Sequence, residues 1–110
     1  MNICILGLGY IGLPTAAILS NSGHIVCGVD ISKSIVEKVN QGITHIIEPG
    51  LDEFVLKAVG QKKLTASTIP RHADVFIIAV PTPFKNNFEP DIQFVIDATR
   101  EIAPYIKENN

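Results

Sequence analysis

The sequence predicts an α/β fold in which a parallel sheet is wound on both faces by helices. Three observations predict it. Unbroken apolar runs recur at Ile3–Leu6, Ile25–Val29 and Val75–Val80, as expected of strands covered on both sides rather than one. Stretches with helical spacing separate them. The first two runs and the intervening helix fit within residues 2–30, close to the roughly 30 positions of a strand–helix–strand unit. At 110 residues the chain has room for one domain and not comfortably for two.

Each element has a local reason. Residues 2–7 read as the first buried strand. A helix is expected from Tyr10 to Asn21, with Pro14 tolerated in its first turn and Ser22-Gly23 as its stop. The second strand is Ile25–Asp30. Ser32 can cap a second helix whose apolar positions Ile35, Val36 and Val39 share a face, and Gly42 ends it. Residues 43–50 show no period, and Glu48-Pro49-Gly50 marks a turn. Leu51, Phe54, Val55, Ala58 and Val59 then have helical spacing, with Asp52 and Glu53 suited to the dipole of the first turn and Gly60 as the expected stop.

A short third strand is expected at Lys63–Ser67 and a strong fourth at Val75–Val80. The fourth is cut off by Pro81-Thr82-Pro83, since neither proline can donate to a sheet ladder. Residues 85–89 form a polar loop. Pro90-Asp91 opens a last helix with Ile92, Val95, Ile96, Thr99, Ile102 and Ala103 on one face, and Pro104 falls inside that pattern or at its end, which leaves the last turn open. Right-handed crossovers give the strand order 3-2-1-4. This is the N-terminal half of a Rossmann-like, doubly wound parallel sheet, with about four strands and flanking helices.

The first turn carries the functional signal. Gly7-Leu8-Gly9-Tyr10-Ile11-Gly12 is a G-x-G-x-x-G sequence between a strand and a helix. Gly7 permits the tight turn, Gly9 admits a pyrophosphate close to the backbone, and Gly12 lets helix and strand approach. Free N–H groups at the helix start then face the phosphates. Alone the motif is weak. Asp30 strengthens it: it ends the second strand 18 positions after Gly12, where an acid receives the adenosine ribose hydroxyls and disfavours a 2′-phosphate. Lys33, nearby, can contact the same ribose. Thr82 falls just past the carboxyl end of the fourth strand, beside the switch point where open α/β sheets bind ligands. The expected cofactor is NAD; S-adenosylmethionine or flavin domains built on the same turn are the alternative.

Other classes are disfavoured. A net charge of −2 provides no basic field for nucleic acid or membrane, and no apolar run approaches the roughly 18 residues of a span. No secretory leader is apparent, so a cytoplasmic, reducing location is expected. Cys4 and Cys27 fall in buried strands and read as small core hydrophobes. His24, His45 and His72 share no ligand spacing and read as surface or loop residues, leaving no metal site. No residue makes a convincing nucleophile or acid–base pair, so no catalytic residue is assigned.

With these residues placed, the sequence resembles the N-terminal part of the UDP-glucose/GDP-mannose dehydrogenase family. The similarity rests on Ile5–Ala16, on Gly28-Val29-Asp30 and on Ile78–Phe84. Thr44–Pro49 and Thr82-Pro83-Phe84 point to the bacterial branch acting on UDP-N-acetyl-D-mannosamine. The resemblance implies NAD bound by backbone groups at Tyr10 and Ile11, with Asp30 on the ribose and Thr82 on the cofactor. It also implies two-step oxidation of the sugar 6-hydroxyl to a carboxylate through a thioester on a cysteine. The family's cysteine, catalytic lysine and sugar-binding domain match nothing in residues 1–110. The expectation is therefore a truncated gene product or excised domain that does not turn over a UDP-sugar by itself. The alternative role is an interaction module, a homodimer formed through its open sheet edge and uncovered apolar helix faces.

Overall fold

The computed structural model describes residues 1–110, the side chain of Asn87 excepted. It has four strands, β1 (Asn2–Leu6), β2 (Ile25–Val29), β3 (Leu64–Ser67) and β4 (Val75–Ile78). The helices are α1 (Gly12–Asn21), α2 (Lys33–Asn40), α3 (Leu51–Gly60) and α4 (Gln93–Ile102). All strand pairs are parallel and the order is β3-β2-β1-β4, as the crossover rule predicts. β1 lies at the centre, paired in register with β2 from Asn2↔Ile25 to Leu6↔Val29 and with β4 from Ile3↔Val75 to Leu6↔Ile78.

Side-chain alternation divides the core between the two faces of the sheet. Ile3, Ile5 and Val26 join Leu13, Ala16, Ala17, Val39, Val55 and Ala58 in the larger cluster, beneath α1, α2 and α3. Cys4, Leu6, Cys27 and Val29 point the other way, against Ala98 and Ile102 of α4. Burial on both faces is why these strands read as unbroken apolar runs.

Helix ends follow local chemistry. Ser32 caps α2 by accepting from the Ile35 N–H at 3.3 Å. The α1 C-terminus closes through Gly23 at φ +101°, with its N–H donating to Ser20 O and that of His24 to Leu19 O. Gly42 closes α2 in the same way, at φ +78°.

α3 departs from the expectation. Gly60 is its last helical residue rather than its stop, and the left-handed position falls to Lys62 at φ +59°. Lys62 and Lys63 donate to Val59 O and Ala58 O, so the carbonyl pairing decides where the reversal falls.

Other boundaries move too: β1 ends at Leu6 and β2 at Val29, each one residue before the expected end, β3 begins at Leu64 instead of Lys63, and α4 begins at Gln93. α1 begins at Gly12 instead of Tyr10. β4 ends at Ile78: Ala79 still donates to Leu6 O at 2.7 Å, but β1 has turned away at Gly7. The loop expected at 85–89 contains a 3-10 turn, Asn86–Phe88, and Phe84 and Pro90 bridge across its base. Pro104 lies in a 3-10 turn, Ala103–Tyr105, that ends α4. The buried positions of α4 are Ala98 and Ile102, with Val95 and Ile96 half-buried; Ile92, Thr99 and Ala103 face solvent. A single covering helix buries a narrower stripe than the six-residue face expected.

The far edge of β3 is closed by a side chain. Asn40, at the end of α2, donates to Ala66 O at 2.9 Å and accepts from its N–H at 2.8 Å. β4 ends the sheet on the other side, with no further strand beyond it among the described residues.

Candidate functional site

The glycine turn leaves the carboxyl end of β1 and sits between the ends of β2 and β4. Gly7 has φ +100°, and a Cβ added there would lie 2.5 Å from Ala79 O. Only glycine satisfies both the left-handed backbone and the approach of the β4 exit. A Cβ on Gly12 would collide with the carbonyl oxygen of Gly7, so the helix start is packed onto the turn itself. Gly9 differs: a Cβ there would meet nothing within 4 Å. Its freedom from a side chain keeps space open rather than relieving a contact.

Tyr10 and Ile11 present exposed side chains, at 77% and 71% of full exposure. Neither of their N–H groups donates to an acceptor among the described residues. Ile11 occupies the N-cap of α1 and supplies no side-chain cap. The helix therefore begins with unpaired donors, an arrangement that suits an anion.

Asp30 follows β2 directly. One carboxylate oxygen accepts from the Leu8 N–H at 3.0 Å and the other from the Ser32 N–H at 2.9 Å. The acid thus ties the glycine turn to the start of α2. Each oxygen keeps a lone pair for another donor. Leu8 anchors the same turn: it is fully buried, and a Cβ on Gly28 would come within 2.6 Å of it. Gly28 thus makes room for the side chain that holds the turn down, a role that spacing alone did not suggest.

These groups border a cleft of about 460 Å³. Leu6, Gly7 and Gly9 form its floor, with Val29, Asp30 and Ile31 on one side and Val80 and Pro81 on another. The α4 face opposite contributes Phe94, Asp97, Ala98 and Glu101. The structure thus brings together Gly7, Gly9 and Asp30, with Tyr10, Ile11 and Gly12 at the adjoining helix start. Lys33 and Thr82 are exposed and outside the lining, Lys33 as the first residue of α2 and Thr82 one residue past Pro81. The α4 wall escaped the sequence reading, because Phe94, Asp97 and Glu101 lie outside its apolar stripe. Proximity to the sheet end would have been the signal, and it needs the crossover to be known.

The remaining candidates stay apart from the cleft. His24 and His72 are near the opposite strand ends, His72 Nδ1 3.0 Å from Tyr105 O. His45 lies in the irregular 43–50 segment, with its Nδ1 buried and unpartnered among the described residues. Among those residues, no cluster of His, Cys, Asp and Glu could hold a metal ion, and no helix is long and apolar enough to cross a membrane.

Residues 1–110 match, over their whole length, the model of the UDP-glucose/GDP-mannose dehydrogenase family, NAD binding domain. The chain belongs to this family. Its cofactor is NAD. It is 50% identical over 109 residues to a UDP-N-acetyl-D-mannosamine dehydrogenase of Campylobacter jejuni, which covers 98% of this chain and 27% of that protein. It is also 50% identical over 108 residues to an NDP-N-acetyl-D-galactosaminuronic acid dehydrogenase of Ralstonia nicotianae, covering 98% of this chain and 26% of the relative. Among solved structures, the UDP-N-acetyl-mannosamine dehydrogenase Cap5O from Staphylococcus aureus superposes with a TM-score of 0.97 at 41% identity, over 100% of this chain and 27% of that one. The chain thus spans about a quarter of the length of the dehydrogenases it matches, and within them it corresponds to the domain that binds NAD.

Proposed function

We propose that residues 1–110 hold NAD for a nucleotide-sugar 6-dehydrogenase, with UDP-N-acetyl-D-mannosamine as the substrate of the whole enzyme. The observation that supports this reading is an open Gly9 and the Asp30 carboxylate in one cleft, beside a helix start whose Tyr10 and Ile11 N–H groups are unpaired. The N–H groups of Tyr10 and Ile11 receive the pyrophosphate, and Gly9 leaves it room. Asp30 accepts from the adenosine ribose hydroxyls and repels a 2′-phosphate. Lys33, at the start of α2, and Thr82, one residue past Pro81, contact the cofactor from outside the cleft lining. When bound, NAD supplies hydride acceptance. The chain's own contribution is to bind and orient it, and no residue here is given a role on the sugar. Its two free cysteines fit a reducing cytoplasm.

Calorimetric titration tests cofactor binding. NAD should bind, NADP at least about ten-fold more weakly, and Asp30→Ala should lose most of the NAD affinity. A folded sample giving no heat at millimolar NAD overturns the reading. The sugar is tested on the enzyme that carries this domain, which should reduce two NAD per UDP-N-acetyl-D-mannosamine. A second reading, self-association, is favoured by the unpaired β4 edge, where Val75 is exposed. Light scattering decides it; a monomer at high concentration rules it out.

A further inference from the structure

Cys4 and Cys27 are 23 residues apart in the chain and directly opposite each other in the sheet. They are register partners on the parallel strands β1 and β2. Neighbouring strands run about 4.8 Å apart, within the roughly 4.4–6.8 Å Cα separation that a disulfide spans. Both side chains project to the same face, into the cluster closed by Ala98 and Ile102, and both are free thiols. The next residues along the same face, Leu6 and Val29, line the cofactor cleft. We propose that Cys4 and Cys27 form a buried dithiol, a modification site beneath the cleft that a small hydroperoxide converts to an intramolecular disulfide.

Cys4 is the attacking sulfur. The neighbouring Cys27 thiol holds its pKa below the ordinary thiol value against the opposing effect of burial, with Arg71 assisting. The thiolate attacks one peroxide oxygen, the O–O bond breaks, and the departing hydroxide takes up a proton to become water. This leaves Cys4 as a sulfenic acid. Cys27 then attacks the Cys4 sulfur, the S–O bond breaks, and the hydroxyl leaves as water with the Cys27 proton. Two electrons pass from the thiols to the peroxide. Cys27 keeps its proton until that step, since donating to Cys4 and being buried both raise its pKa.

The experiment treats the folded, reduced chain with hydrogen peroxide, quenches it with acid, then unfolds and alkylates it for intact-mass measurement. The expected product is monomeric, about 2 Da lighter than the reduced chain, carries no alkyl groups and returns to the dithiol with dithiothreitol. Cys4→Ser and Cys27→Ser should each give none of it. The wild-type result is decisive even if either variant folds poorly. Two alkylatable thiols after treatment, disulfide-linked dimers as the sole oxidised product, or the lighter species arising only in urea would each overturn the proposal.

Discussion

Gly7 and Gly9 occupy one turn and carry opposite kinds of constraint. Gly7 combines a left-handed backbone with the oxygen of Ala79 at its back. Gly7→Ala is expected to destabilise the fold by about 2–3 kcal/mol, read by urea denaturation. Gly9→Ala adds a methyl to open space and should leave stability within about 0.5 kcal/mol. Its effect should appear in NAD affinity, because the methyl enters the cleft. Equal stability losses in the two variants would contradict this division. The thiols give a second test. With the Cys27 thiol beside it and Arg71 assisting, Cys4 should titrate near pH 7, below the ordinary value of 9.0. Ultraviolet absorbance of the thiolate checks it: wild type should gain one thiolate through neutral pH. Cys27→Ala should move that step upward, because the donor is gone.

At the scale of elements, boundaries are decided by hydrogen-bond closure rather than by residue type alone. Gly23 and Gly42 lie where a glycine stop is expected, and both take the left-handed position. In α3 the glycine falls two residues early and Lys62 takes the strained conformation. Lys62→Gly should therefore stabilise the protein by about 1 kcal/mol, seen as a higher denaturation midpoint at unchanged slope. Gly60 could not be ruled out as the stop from the sequence, since the closing bonds to Val59 O and Ala58 O follow from where the last turn of α3 unwinds, and a nearby glycine does not fix that point. The same holds for Asn40. It reads as a polar helix residue, yet the NH2 and the oxygen of its side-chain amide both pair with the outer edge of β3 at Ala66. α4 was legible as a helix and misread as to its face, because the width of a buried stripe depends on how many elements cover it.

For the whole molecule, the cleft is a property of the β1 switch point, where α1 and α4 leave towards opposite faces of the sheet. A ligand there touches β1, β2, the exit from β4 and α4 together, so its binding should be felt by the fold as a unit. At a concentration ten times its dissociation constant, NAD should add about 1.4 kcal/mol of stability. Differential scanning fluorimetry should show this as a rise in Tm of several degrees, abolished by Asp30→Ala. A rise of the same size in that variant would place the cofactor elsewhere.

The sequence by itself determined the order and type of the elements, the parallel sheet and the glycine turn with Asp30 beyond it. These follow from local rules: apolar periodicity, glycine stops, and the handedness that makes β3-β2-β1-β4 the outcome. Tertiary structure alone decided which residues meet across the chain. It set Leu8 into the space left by Gly28, brought Phe94, Asp97 and Glu101 to the cleft, and placed Cys4 beside Cys27. The physical reason is the same in each case. Periodicity along a chain reports which side of an element is apolar, whereas strand register and helix docking determine what that side faces.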